Sequence, residues 1–117
     1  MKKLSKMILV VILISLVSVL FAQKTDKVAI DMTPNPMKES AVISVYSKIQ
    51  MDVTIVITDT KGVVLRTIYE GQVDPGSNNY DWDRTDYSGN ILPSGKYILE
   101  LNTDQKYTSV KKIIILK

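Results

Sequence analysis

Asp81, Asp83 and Asp86 crowd one short stretch of the chain, with Asn79 and Asn90 on either side. Hard oxygen ligands gathered in a loop are what a calcium ion takes. The spacing is not that of an EF-hand. Counting from Asp81, the sixth position is Asp86 rather than glycine, and the twelfth is Leu92 rather than glutamate. The same carboxylates can instead accept hydrogen bonds from turn amides. Turn capping is therefore the expectation for all three, with calcium as the rival. A glycosidase pair needs two carboxyl groups roughly 5–10 Å apart and a cleft between them, and a chain this short has little room to build one. The sequence has no histidine and no cysteine. That removes the usual general base, the commonest zinc ligand, Cys-based metal or redox sites and a disulfide framework. No catalytic residue, cofactor or metal ion is expected.

Other side chains suggest contact rather than catalysis. Tyr69, Tyr80, Tyr87 and Tyr107 are candidates for a binding face, since tyrosine is favoured at interfaces; alternatively each covers a sheet edge or a strand end. Ile113–Leu116 is a run of four aliphatic residues, to be buried in the fold or left as an edge open to strand addition. Val73–Ser77 is a turn by composition.

The elements that position these groups begin after a distinct leader. Lys2, Lys3 and Lys6 form a basic head, and Met7–Phe21 is apolar apart from Ser15 and Ser18. Ala22 then precedes Gln23 and the charged stretch Lys24–Lys27. This order reads as a secretory signal peptide over residues 1–22. The alternative is an uncleaved anchor, for which 15 apolar-run residues from Met7 to Phe21 fall short of the roughly 20 that span a bilayer. Three of the 15 basic residues lie in this leader and none of the 12 acidic ones, so residues 23–117 carry 12 of each and are neutral. A basic surface for nucleic acid is not expected.

From Lys27 onward short apolar runs alternate with turn residues, the pattern of an all-β sandwich. Expected strands are Val28–Met32, Ala41–Ser47, Val53–Thr58, Val63–Tyr69, Asn79–Trp82, Tyr97–Leu101 and Tyr107–Leu116. Alternation puts Ile43 and Val45, then Val53, Ile55 and Ile57, then Tyr97, Leu99 and Leu101 on core faces. Asp59-Thr60-Lys61-Gly62 reads as a hairpin turn, and Asn102–Lys106 as another. Thr33-Pro34-Asn35-Pro36 must turn the chain, because two prolines one residue apart cannot both sit in a paired strand. About seven antiparallel strands suit an immunoglobulin-like topology, and no internal repeat is visible.

These motifs, in this order, resemble the FlgD immunoglobulin-like domain family over residues 33–117, with residues 23–32 as a lead-in and possible first strand. Pro34-Asn35-Pro36-Met37 is similar to the family's opening PNPF, and Val53–Asp59 with Gly62 to its strand and D-x-x-G hairpin. Tyr80–Asn90, with Trp82 and Gly89, resembles W-D-G-R-D-x-x-G. Leu92-Pro93-Ser94-Gly95-Lys96-Tyr97 is similar to L-P-S-G-x-Y, and Lys111–Lys117 to a basic-then-aliphatic last strand. Three positions depart: Met37 replaces an aromatic, Thr58 a tyrosine, and Arg84 follows Asp83 without the glycine. The resemblance implies an antiparallel β-sandwich whose motif residues are architectural, with Trp82 plugging the core beneath a polar loop.

The function expected is that of an exported, non-catalytic module of the bacterial envelope, periplasmic or extracellular, meeting a protein or glycan through loops and sheet edges. Membrane contact is expected only through the leader, if it is not cleaved. Hook capping is not expected, because the resembled protein has an amino-terminal assembly region and is exported without a signal of this kind. Two alternatives stand: a type IX secretion sorting domain, which shares the PNP opening and basic-aliphatic end, and a secreted inhibitor or small enzyme. An inhibitor would act through loops such as Asp74–Ser77.

Overall fold

The computed structural model describes residues 28–104 and 109–117. The leader at 1–22, its cleavage point and Tyr107 lie outside them. Seven strands form: β1 Val28–Thr33, β2 Ala41–Ser47, β3 Met51–Thr58, β4 Val64–Val73, β5 Gly76–Trp82, β6 Gly95–Thr103 and β7 Ser109–Leu116. They make two antiparallel sheets, β1-β2-β5 and β4-β3-β6-β7. The chain is an all-β sandwich.

Alternating burial sets the inner face of β1, β2, β5 and β6 and of the first half of β3. Val28, Ile30 and Met32 of β1 meet Ile43 and Val45 of β2, while Val53, Ile55 and Ile57 of β3 lie beside Leu99 and Leu101 of β6. All belong to one buried core, completed by Trp82, Tyr97, Ile114 and Leu116. The period of two fixes this register, since a one-residue slip would turn every core side chain to solvent.

Several strands outrun their expected bounds. β4 continues to Val73 rather than ending at Tyr69, because Gly71 and Gln72 keep pairing with Val53 and Asp52. β5 starts at Gly76, three residues before Asn79, and pairs with β2 without a break. β6 takes in Gly95 and runs through Asn102 and Thr103, which were expected to turn. β3 begins at Met51, and β1 passes through Thr33. Most of the added residues are polar or glycine, which apolar periodicity does not mark, although Met51 and Val73 at the ends of β3 and β4 are buried in the core. β1, placed in the lead-in, pairs with β2 along its whole length and belongs to the sandwich.

The run Ile113–Leu116 is split by the pleat. Ile114 and Leu116 are buried, Ile115 is half-buried, and Ile113 is 57% exposed.

Candidate functional site

The stretch after β5 folds into a miniature hairpin. Thr85 bridges Ile91, Leu92 donates its N–H to Arg84 O (2.9 Å), and Asp86 N–H donates to Asn90 O (2.9 Å). At its tip Asp86 Oδ1 accepts from the amides of Ser88 (2.9 Å) and Asn90 (3.0 Å), while Gly89 N–H donates to Asp86 O. The β3–β4 turn is built the same way. Asp59 Oδ1 accepts from Lys61 and Val63, both at 2.9 Å, and Gly62 N–H donates to Asp59 O. Gly62 and Gly89 take φ of 91° and 82°, the left-handed conformation that glycine adopts without strain. The D-x-x-G turn thus occurs twice, a structural duplication with only two shared letters to mark it in sequence.

Each acidic-loop carboxylate has a definite place. Asp86 Oδ1 is taken by turn amides. Asp83 Oδ1 accepts from the Thr85 hydroxyl and, at 3.3 Å, from its amide. The hydroxyl contact is the main reason the Asp83 carboxyl sits below its ordinary range. Asp81 lies on β5 and faces solvent. Among the described residues no three acidic groups converge where an ion could sit.

Arg84 is the residue sequence reasoning undervalued. Counted from Trp82, it occupies the glycine slot of the W-D-G-R-D-x-x-G motif, and its φ of 68° is one glycine favours. Its side chain is buried and reaches three separate segments. Nε donates to Leu92 O (2.8 Å), Nη1 to Lys38 O and Lys117 O (both 2.6 Å), and Nη2 to Ser94 Oγ (3.4 Å). The guanidinium ties the hairpin, the segment before β2 and the end of β7 into one cluster. Around it lie Trp82, whose Nε1 donates to Thr85 O (3.0 Å), and Tyr97, whose hydroxyl donates to Pro93 O (2.7 Å). Burial raises the Tyr97 phenol above its ordinary value, opposed by the Arg84 charge. Trp82, Pro93 and Tyr97 thus gather at one end of the sandwich, whereas the Asp59–Gly62 turn bonds within itself.

The proline segment serves a sheet edge. After β1 the chain crosses to β7 of the other sheet before entering β2, through cis peptide bonds at Thr33–Pro34 and Asn35–Pro36. The Asn35 carboxamide behaves as a peptide group of an added strand: Oδ1 accepts from Ile115 N–H (3.0 Å), and Nδ2 donates to Ile113 O (3.2 Å). Met37 continues the pairing, donating to Ile115 O and accepting from Lys117 N–H, both at 2.9 Å. Its side chain is fully buried, filling the place of the motif's aromatic. The alternative of an open β7 edge at Ile113–Leu116 is therefore closed off from within the chain. The two prolines lack N–H groups and hold the backbone stiffly, which leaves the Asn35 side chain to do the pairing.

The other long edges carry their own features. On β1, Asp31 Oδ1 accepts from Met32 N–H and pairs with Lys112 of β7, and these contacts lower its pKa, the lysine first. On β4, Tyr87 of the hairpin donates its N–H to Leu65 O (3.0 Å), Arg66 Nη1 donates to Asp86 O (2.8 Å), and the pairing with β3 shifts register twice. Tyr69 of β4 and Tyr80 of β5 stack with ring centroids 4.5 Å apart, joining the two sheets. Desolvation, then the neighbouring Tyr69, raises the Tyr80 pKa. Tyr87 is 60% exposed, with its hydroxyl on Thr67 Oγ1. The three candidate tyrosines among the described residues thus divide between an inter-sheet staple and an exposed loop tip. Beside them runs an open groove of about 450 Å³, lined by Thr33, Val42, Arg66, Ile68, Asp81 and Asp83 among others.

Two sheets in the orders β1-β2-β5 and β4-β3-β6-β7 define an immunoglobulin-like sandwich module. The chain belongs to the FlgD Ig-like domain family, whose profile matches residues 38–106. The basal-body rod modification protein FlgD of Escherichia coli (strain K12) is 34% identical over 58 residues, 50% of this chain and 25% of that protein. The chain therefore spans about a quarter of that relative's length. FlgD from P. aeruginosa superposes with a TM-score of 0.52 at 29% identity, over 66% of this chain and 58% of that one. The same fold is found in dimeric latent PorU of Porphyromonas gingivalis (TM-score 0.63, 19% identity, 76% of this chain and 9% of that chain). It is found again in PorZ, a surface component of that organism's type IX secretion system (TM-score 0.52, 22% identity, 76% and 11%). β1 and β7 lie outside the family-matched residues 38–106, yet both pack into the same core.

Proposed function

We propose that the chain is an exported, non-catalytic module of the bacterial envelope that binds a protein or glycan partner through its loops and sheet edges. Membership of the FlgD Ig-like family carries this reading, since its motif residues here serve turns, core and edges. Residues 1–22 act as the export signal, and the folded domain takes in β1 from Val28 as well as the family-like residues 33–117. The neutral balance of residues 23–117 favours a partner met through shape and backbone pairing over long-range charge. Immobilised residues 23–117 should retain a partner from envelope extracts, and retention should survive a rise from 0.15 to about 0.5 M salt. Retention of nothing, or retention lost at the higher salt, would count against the reading.

A type IX sorting role is the second reading, favoured by the likeness to PorZ, which is similar in fold. It requires that residues 23–117, which include β1, carry a fused passive reporter to the cell surface. A reporter held in the periplasm would remove it.

A further inference from the structure

Strand edges are where a sandwich can recruit another chain, and proteins blunt them with charges, bulges or covering segments. Three of the four edges here are blunted. The β7 edge is paired with Asn35 and Met37. On β1, Asp31 takes up the Met32 amide and holds Lys112. β4 is irregular where it pairs with β3 and is met by the hairpin at Leu65.

β5 differs. It runs seven residues in unbroken register with β2 and has no strand on its other side. The Gly76 carbonyl accepts from Asn78 within the preceding turn. From Ser77 to Trp82, among the described residues, no side chain or loop bonds to the outer backbone edge. Ser77, Asn79 and Asp81 are exposed on one face, and Asn78 and Tyr80 are half-buried on the other. An incoming strand would find alternate side-chain environments there, as strand addition requires. The charge along this edge is acidic. Asp74 precedes β5, Asp81 lies on it and Asp83 follows it. Arg66 lies near Asp83 and partly offsets it, whereas the Asp81 carboxylate has no hydrogen-bond or ion-pair partner among the described residues.

We propose that β5 is the docking edge: a partner protein adds an extended segment of its own chain along Ser77–Trp82, with a lysine or arginine opposite Asp81. This rests on the binding role proposed above and names its site and partner class. Backbone pairing supplies the affinity, and the Asp81 contact sets the register.

The test uses residues 23–117 as target for a phage-displayed library of random nine-residue peptides, followed by amide hydrogen exchange with the most enriched peptide. Enriched peptides should alternate apolar and polar residues and carry a basic residue. They should slow exchange at the β5 amides that do not pair with β2 while leaving Ile115 and Lys117 unchanged. Asp81→Lys should weaken a lysine-bearing peptide and favour its glutamate counterpart, each by about threefold, the scale of one exposed ion pair. Peptides that protect β4, β7 or only the loop tips would overturn the docking edge while leaving a binding role in place, as would protection in the free protein of those β5 amides that do not pair with β2. If no peptide is enriched, the strand-addition proposal fails, and envelope capture decides the wider reading separately.

Discussion

At the scale of single residues, Arg84 shows how a departure from a motif can be compensated. An L-residue in the left-handed region costs about 1–2 kcal/mol relative to glycine. Here the guanidinium bonds Leu92 O, Lys38 O, Lys117 O and Ser94 Oγ. Hydrogen bonds to a charged group contribute about 1.5–3 kcal/mol each when the alternative is an unsatisfied buried partner. Arg84→Ala keeps the backbone strain and loses the bonds, so it should cost about 3 kcal/mol. Arg84→Gly should cost about 1 kcal/mol less. Urea midpoints should fall in the order wild type, glycine variant, alanine variant; an unchanged midpoint for the alanine variant would remove Arg84 from this role. The sequence marked the spot, since a missing glycine stands out, but not the compensation. The carbonyls that Arg84 reaches lie at positions 38, 92 and 117, which no local pattern connects. Trp82 was legible for the opposite reason: a lone tryptophan amid polar residues has few places to go but the core.

At the scale of elements, turns and inner faces were legible because their signals are local. Asp59-x-x-Gly62 and the alternation of Val53, Ile55 and Ile57 each follow from a few adjacent residues. Edges were not, because a β7 edge filled by Asn35 joins residues about 80 positions apart. If Asn35 acts as a surrogate strand, Asn35→Ala should lower stability by about 1–2 kcal/mol and speed amide exchange at Ile115. Asn35→Asp should retain the acceptor for Ile115 N–H and lose the donor to Ile113 O, giving an intermediate effect. Exchange at Ile115 that is the same in all three proteins would show that the edge is held by something else.

For the whole molecule, the two sheets are tied together on one side by Asp31–Lys112 and on the other by the Tyr69–Tyr80 ring stack. The Asp31 pKa is lowered in the folded state from an ordinary value of 3.8. Its contribution is therefore present above that value and lost as pH falls through the lower, folded one. Both partners are substantially exposed, so the pair is worth about 0.5 kcal/mol at neutral pH. The stability difference between wild type and Asp31→Asn should be of that size at pH 6 and vanish toward pH 2, as followed by denaturation at each pH. A difference that stays constant to pH 2 would mean the carboxylate charge is not what matters. The most direct test of an exported module is the location and first residue of the chain in the cell. Fractionation with amino-terminal sequencing should find it in the periplasmic or extracellular fraction, beginning at Gln23. An intact chain beginning at Met1 in the cytoplasm would contradict the account.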